Sequence, residues 1–352
     1  MKSRVDQLAV FGGEPAFAEP VHVGRPNVGD RRAFLDRVGH VLESRWFTNG
    51  GRYVEELEER VADYVGVKHC VAVCNGTAAL QIAARASGLT GEVLVPAFTF
   101  VATAHALLWQ GLTPVFCDVE RDTHNLDPAA AERLVSERTT AILAVHLWGR
   151  PCDVDALSSV ADRHGLKLLF DAAHAFACSH DGRMIGGFGD AEVFSFHATK
   201  LLNAFEGGAV ATNDDGLADT ARLMRNFGFT DYDEVSSLGI NGKMTEVAAV
   251  MGLSSLENLD DFIARNRANY LAYRDGLEAL GGYGSCPRTT ASVATTKASS
   301  WRSMTPSRDC PETLSTASFK PRTCLPAAIS TPECTGWSPT AWRTRTPARA
   351  FR

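Results

Sequence analysis

Between Phe194 and Thr212 the chain reads FSFHATKLLNAFEGGAVAT: an apolar, strand-like run, a turn through His197, Ala198 and Thr199, one lysine, and Glu206-Gly207-Gly208 before a second strand-like run. A free lysine titrates near ~10 and is a poor nucleophile until its surroundings lower that value. A surface loop explains an isolated lysine equally well, so Lys200 gains meaning only from what else the chain brings to strand ends. Ser195 and His197 lie two residues apart and share a face if the strand continues that far.

Working outward, apolar β-rich runs alternate with amphipathic helical patterns. Strands are expected at His69–Cys74, Glu92–Pro96, Thr113–Val119, Ala141–Leu147, Lys167–Phe170, Val193–Phe196 and Ala209–Thr212. Helical periodicity runs over Tyr53–Tyr64, the AALQIAARA run after Asn75-Gly76-Thr77, the segment after Phe98-Thr99-Phe100, Asp153–His164 and Leu217–Arg225. Asp127-Pro128 is a helix start, with Asp as cap and Pro at the first helical position. Glu246–Leu280 is almost continuously helical in pattern. Such alternation predicts an α/β fold with a mostly parallel sheet covered by helices on both faces. Ligands in these folds bind beyond the carboxyl ends of the strands.

Four such ends carry unusual residues. Asn75-Gly76-Thr77 opens a helix, where a glycine admits close backbone approach and free amides favour a phosphate. Asp171 ends an apolar strand, where a carboxylate is costly unless it caps a helix or meets a cation. Phe100 is a core aromatic or a platform for a flat ring. Lys200 is the fourth. Pyridoxal 5′-phosphate answers all of them: a phosphate, a ring to stack, a pyridine nitrogen for the acid and an aldehyde for the lysine.

Composition narrows the alternatives. The chain has 352 residues, enough for two domains, and a net charge of −6 with no basic stripe, which gives no support for nucleic-acid binding. The apolar stretch Phe98–Trp109 carries His105 and is too short to span a bilayer, and the N-terminus lacks the apolar run of a signal peptide. Of the nine cysteines, Cys70, Cys74, Cys117, Cys152 and Cys178 mostly sit in apolar settings, as reduced core thiols of a cytoplasmic protein do. No zinc-type spacing, dinucleotide fingerprint, P-loop or fixed-period repeat is present.

Near Gly282 the sequence changes character. Residues 283–352 carry 10 Lys/Arg against 3 Asp/Glu, a formal charge of about +7 against about −13 for the rest, and are rich in Ser, Thr and Pro without either period. Their composition is that of a disordered tail. Back-translation also permits Pro321–Thr340 to read ENVLARRYFYPGVHRMEPY in an adjacent frame, and Ser299–Cys310 to read IVEVDDAVSGL. These strings have the alternation of a folded domain and predict a frameshift near Gly281–Ser285. The expected organisation is a large domain over 1–245 with an N-terminal arm, linking helices and the start of a small domain over 246–282, and an aberrant tail over 283–352.

The motifs NGTAAL, PAFTFVATAHAL, HLWGRPCDVDAL, DAAHA, SFHATK…NAFEGGAV, MRNFGF and NGKMTE together resemble the DegT/DnrJ sugar-nucleotide aminotransferases, within the fold-type-I (aspartate-aminotransferase-like) pyridoxal phosphate enzymes; the resemblance runs from about residue 8 to 280. It implies that Lys200 forms the Schiff base, Asp171 partners the pyridine nitrogen and His174 lies near the ring hydroxyl. It also implies Gly76, Thr77 and Ser195 as the phosphate cradle, Phe100 as the stacking aromatic, and Asn226 as a group reaching the cofactor of a neighbouring subunit in a homodimer. Asn241, Lys243 and Thr245 fall in a segment that borders the substrate in relatives. The implied reaction is transamination of a dTDP-4-keto-6-deoxyhexose, with glutamate as amino donor. The same scaffold acting at C3 of the sugar is one alternative, and a catalytically impaired cofactor-binding protein is another if the tail is genuine.

Overall fold

The computed structural model describes residues 4–20, 22, 24–278, 283–285 and 301–303. In chain order the elements are α1 (Arg31–Ser44), α2 (Arg52–Val65), β1 (His69–Val73), α3 (Gly76–Ala86), β2 (Glu92–Pro96), α4 (Val101–Leu108) and β3 (Thr113–Cys117). There follow α5 (Pro128–Arg133), β4 (Thr139–Val145), α6 (Val154–His164), β5 (Lys167–Asp171), the short pair β6 (Ser179–His180) and β7 (Arg183–Met184), β8 (Ala191–Ser195) and β9 (Gly208–Thr212). The remainder are α7 (Asp215–Met224), the short pair β10 (Phe229–Asp231) and β11 (Glu234–Val235), α8 (Glu246–Glu257), α9 (Leu259–Glu278), β12 (Tyr283–Ser285) and β13 (Trp301–Ser303).

Seven strands form one sheet in the order β1-β9-β8-β5-β4-β2-β3. β8, β5, β4, β2 and β3 are parallel along the sheet, and β9 runs antiparallel to both β1 and β8. The mostly parallel α/β architecture is therefore as expected. Apart from the edge strand β3, whose Phe116 is 57% exposed, its strands are buried on both faces and read as continuous apolar runs, as covered parallel sheets do. Phe194 and Phe196 are fully buried and meet Phe176 edge-on at centroid distances of 5.3 and 5.8 Å. Burying a side chain of this size stabilises the fold by roughly 1.5–3 kcal/mol.

Local chemistry sets the helix starts. Asn75, Asp127, Asp153, Asp214 and Thr245 each accept a backbone N–H in the first turn of the helix that follows. Helices α2 and α4 lack such a cap, α4 because its capping residue is Phe100 and α2 because its capping residue Gly51 has no side chain. The buried Glu246 replaces that cap from α8, accepting from Gly51 N (3.1 Å), Tyr53 N (2.8 Å) and Val54 N (3.3 Å). Helix α8 is buried along most of its length and packs on α1 and α2.

Across its described residues, to Glu278, the Glu246–Leu280 segment is almost continuously helical as expected, in two helices: Asn258 leaves helical geometry (φ −110°, ψ 16°), its amide Nδ2 donates to Ser254 O at 2.8 Å, and α9 begins afresh. Three strand limits need correction: β3 ends at Cys117, two residues short of the expected Val119. Strand β4 begins and ends two residues earlier than expected, because Leu147 opens a short 3-10 turn, Leu147–Gly149. Strand β8 ends at Ser195, so His197 is not its strand neighbour. Helix α1 went unread in the sequence. Within the tail, β12 and β13 pair antiparallel; the rest of the frameshift reading, including its adjacent-frame strings, lies outside the described residues.

Candidate active site

The glycine pair that follows the lysine has a packing reason. A Cβ on Gly208 would stand 2.6 Å from the Asn75 carbonyl carbon and 2.7 Å from Gly76 N, and one on Gly76 would stand 2.9 Å from Ser195 Cβ. The N-terminus of α3, the end of β8 and the start of β9 thus converge with room for backbone only. A Cβ on Gly207 would meet Met244 Cε at 2.9 Å and Ala204 Cβ at 3.0 Å. Glycine at these positions lets the open amides of α3 face the same end of the sheet as Ser195.

The loop between β8 and β9 is held at both margins. Phe196 N donates to Gly207 O (2.8 Å) and Ala204 N to Phe196 O (2.7 Å). The buried Asn203 donates to Asn27 O at 2.9 Å, and its own carbonyl accepts from Ser255 Oγ at 2.8 Å. Leu201 and Leu202 are buried, and Lys200 N donates to His197 O at 2.8 Å. Lys200 is half-buried. Its place is fixed by these backbone bonds and by the two leucines beneath it.

Asp171 ends β5 and is only 5% exposed. Oδ2 accepts from Thr103 Oγ1 (2.8 Å) and Oδ1 from Ala173 N (3.1 Å). Burial pushes its carboxyl above the usual range, opposed by those two donors and by the charge of Lys200. His174 lies three residues on. Burial first, and the Lys200 cation second, push its imidazole down to about 3, so it is neutral at physiological pH. Its Nδ1 is buried and has no hydrogen-bond partner among the described residues. Phe100 stands at the start of α4 and is half exposed. Asp171, His174 and Lys200 are thereby brought to one end of the sheet, with Gly76 and Ser195 in contact nearby.

The remaining expected residues form a second group beside β1. Cys74 N donates to Gly242 O at 2.7 Å, which lays this segment along the carboxyl end of β1. Asn226 and Asn241 form an isolated antiparallel bridge. Lys243 Nζ donates to Asn226 Oδ1 at 3.1 Å and lies 4.6 Å from the centre of the Phe227 ring. Burial holds its ammonium below the usual lysine range. Thr77 is exposed in the first turn of α3, while Thr245 caps α8 through Ala248 N at 3.3 Å.

Thr103, Thr99 and His146 are participants that the sequence reading missed. Thr103 is completely buried, and the one available signal was a hydroxyl in the VATAHALL helix, whose only other polar side chain is His105. His146 Nδ1 accepts from Cys152 N (3.0 Å), which places its proton on Nε2, 3.4 Å from the buried Glu192. The His146 ring stacks on Phe170 at 4.6 Å, directly below the end of β5.

A covered parallel sheet with one antiparallel strand, and a lysine, an acid and a glycine-lined helix start at its carboxyl end, define an α/β enzyme of the fold-type-I class. The chain belongs to the DegT/DnrJ/EryC1/StrS aminotransferase family, whose model matches residues 29–313. It is 38% identical over 265 residues to a dTDP-4-amino-4,6-dideoxy-D-glucose transaminase of Shigella dysenteriae, covering 75% of this chain and 72% of the relative. It is 39% identical over 250 residues to a GDP-perosamine synthase of Caulobacter vibrioides, covering 70% and 67%. Among solved structures, DesI in the presence of its TDP-sugar product superimposes with a TM-score of 0.79 at 52% identity, covering 84% of this chain and 76% of that one. The protein is a sugar aminotransferase of this pyridoxal-phosphate-dependent family, and hence a transferase.

Proposed function

We propose that this chain binds pyridoxal 5′-phosphate and transaminates a dTDP-4-keto-6-deoxyhexose to the 4-amino-4,6-dideoxy sugar, with glutamate as amino donor. The observation that carries the reading is the shared end of the sheet where Asp171, buried and short of donors, faces the charge of Lys200 beside a neutral His174. The residues fit the cofactor chemically. A buried carboxylate with spare acceptor sites suits a protonated pyridine nitrogen, the orphaned His174 Nδ1 suits a ring hydroxyl, and the Gly76–Gly208–Ser195 contact leaves backbone amides open to a phosphate.

When bound, pyridoxal phosphate supplies a ring that withdraws electrons from the carbon carrying the amino group. The chain supplies the rest. Lys200 Nζ holds the cofactor and, once displaced, moves the proton at the substrate carbon. Asp171 keeps the ring nitrogen charged, Phe100 provides a face for the ring, and Gly76, Thr77 and Ser195 hold the phosphate. Asn226 serves the site of a second copy in a homodimer. Asn241, Lys243 and Thr245 line the sugar-nucleotide side; Lys243, already beside Asn226, offers the cation for a diphosphate.

Lys200→Ala tests this reading. Loss of both the visible absorption of the cofactor-loaded protein and the aminotransferase activity is expected; retained activity refutes the mechanism. The similarity to GDP-perosamine synthase supports a second reading of the nucleotide, and the shared scaffold a second reading of the carbon aminated. Product analysis with dTDP- and GDP-linked 4-keto sugars, and with a 3-keto sugar, separates them. For the tail we retain the frameshift: sequencing the coding DNA across codons 280–285 is expected to reveal a missing or extra base, and a confirmed frame refutes it.

A further inference from the structure

We propose that Thr103 is a positioning residue for Asp171, itself oriented by Thr99, so that a directional pair of hydroxyls holds the carboxylate for the cofactor's ring nitrogen. This rests on the functional reading above. The direction follows from proton counting. A threonine hydroxyl has one proton, and that of Thr103 goes to Asp171 Oδ2 at 2.8 Å. Thr99 Oγ1 lies 2.8 Å from Thr103 Oγ1, so Thr99 is the donor there. The order is Thr99 to Thr103 to Asp171.

A buried helical threonine ordinarily returns its hydroxyl proton to a carbonyl one turn back. Thr103 instead sends it across 68 positions of sequence to β5, while being itself completely buried. With Ala173 N on Oδ1 and Thr103 on Oδ2, each carboxylate oxygen is held once, which fixes the plane of the group. An ionised carboxylate offers about four acceptor sites, so two remain for a third partner. The other groups facing Asp171 are Lys200, which acts on it through charge, and His146, whose ring lies beside Phe170. Neither holds its orientation as a short hydrogen bond does.

The experiment compares Thr103→Val with Thr103→Ser in the cofactor-loaded full chain. Thr103→Val keeps the volume and removes the donor, so the carboxylate holds its proton more tightly and pairs less well with a charged ring nitrogen. Cofactor retention in equilibrium dialysis is expected to weaken roughly tenfold, as for a lost hydrogen bond to a charged group. The pH profile of the visible absorption is expected to move, and kcat to fall with the KM for the sugar nearly unchanged. Thr103→Ser is expected to restore all three. Wild-type retention and pH profile in Thr103→Val overturn the proposal, as does a Thr103→Ser variant as impaired as Thr103→Val, which would assign the effect to the methyl group. Should Thr103→Val not fold, Thr99→Val decides: a smaller change in the same direction supports the pair, and wild-type values overturn it. Absence of Lys200-dependent absorption in the wild type refutes the functional reading instead.

Discussion

Among the described residues three carboxylates are buried, Asp171, Glu192 and Glu246, and the first and last of them are held differently. Glu246, at the start of α8, receives three backbone N–H donors from the first turn of α2 and has no work left to do. Asp171, at the end of β5, receives two donors while burial works against its charge. A buried anion that is fully satisfied is a structural device. One left short beside a cation and an orphaned imidazole is arranged for something that binds. The difference separates the frame of this protein from its chemistry.

The sharpest way to break the comparison is Asp171→Asn. Removing the charge is expected to lower the transamination rate by the order of 10²–10³, the range typical of losing a preorganised electrostatic partner. Thermal stability of the cofactor-free protein is expected to hold or rise, since a desolvated charge has gone. A folding defect with normal turnover would reverse the assignment.

Glu246→Ala tests the other half. Three N–H groups at the start of α2 lose their acceptor, and the expected loss is on the order of 3 kcal/mol in urea unfolding, given the usual worth of hydrogen bonds to charged groups. Wild-type stability would show that Glu246 is not the cap of α2.

The smallest expected effect concerns His174. Its folded value of about 3 lies below the 6.5 of a free imidazole. The unfolded chain therefore takes up a proton first as pH falls, and this group's contribution to stability is present above about 6.5 and is lost progressively between about 6.5 and 3. The urea midpoint of the cofactor-free protein is expected to fall less steeply between pH 6.5 and 5 in His174→Gln than in the wild type. Equal slopes would mean that His174 is not buried neutral.

Much of the frame was legible because its signals are local. Asn75 and Asp127 announce their helices by cap chemistry, and the parallel strands by unbroken apolar runs. Lys200 and Asp171 were legible because unusual residues stood at strand ends. What escaped notice depends on contacts distant in sequence. Thr103 reaches Asp171 across 68 positions, and Glu246 reaches α2 across more than 190. No period or propensity encodes such a bond. Helix α1 escaped for another reason: only Val41 is buried in it, while Leu35 and Leu42 are exposed, so its apolar positions mark no single stripe. The break at Asn258 was hidden because the residues on either side keep helical composition.

The central claim is that Lys200 carries the cofactor in the site that Asp171 completes. Borohydride reduction of the cofactor-loaded protein, followed by peptide mass spectrometry, tests it most directly. A reduced pyridoxyl phosphate is expected on Lys200 and is lost in Lys200→Ala. A label on another lysine, or none, would contradict it.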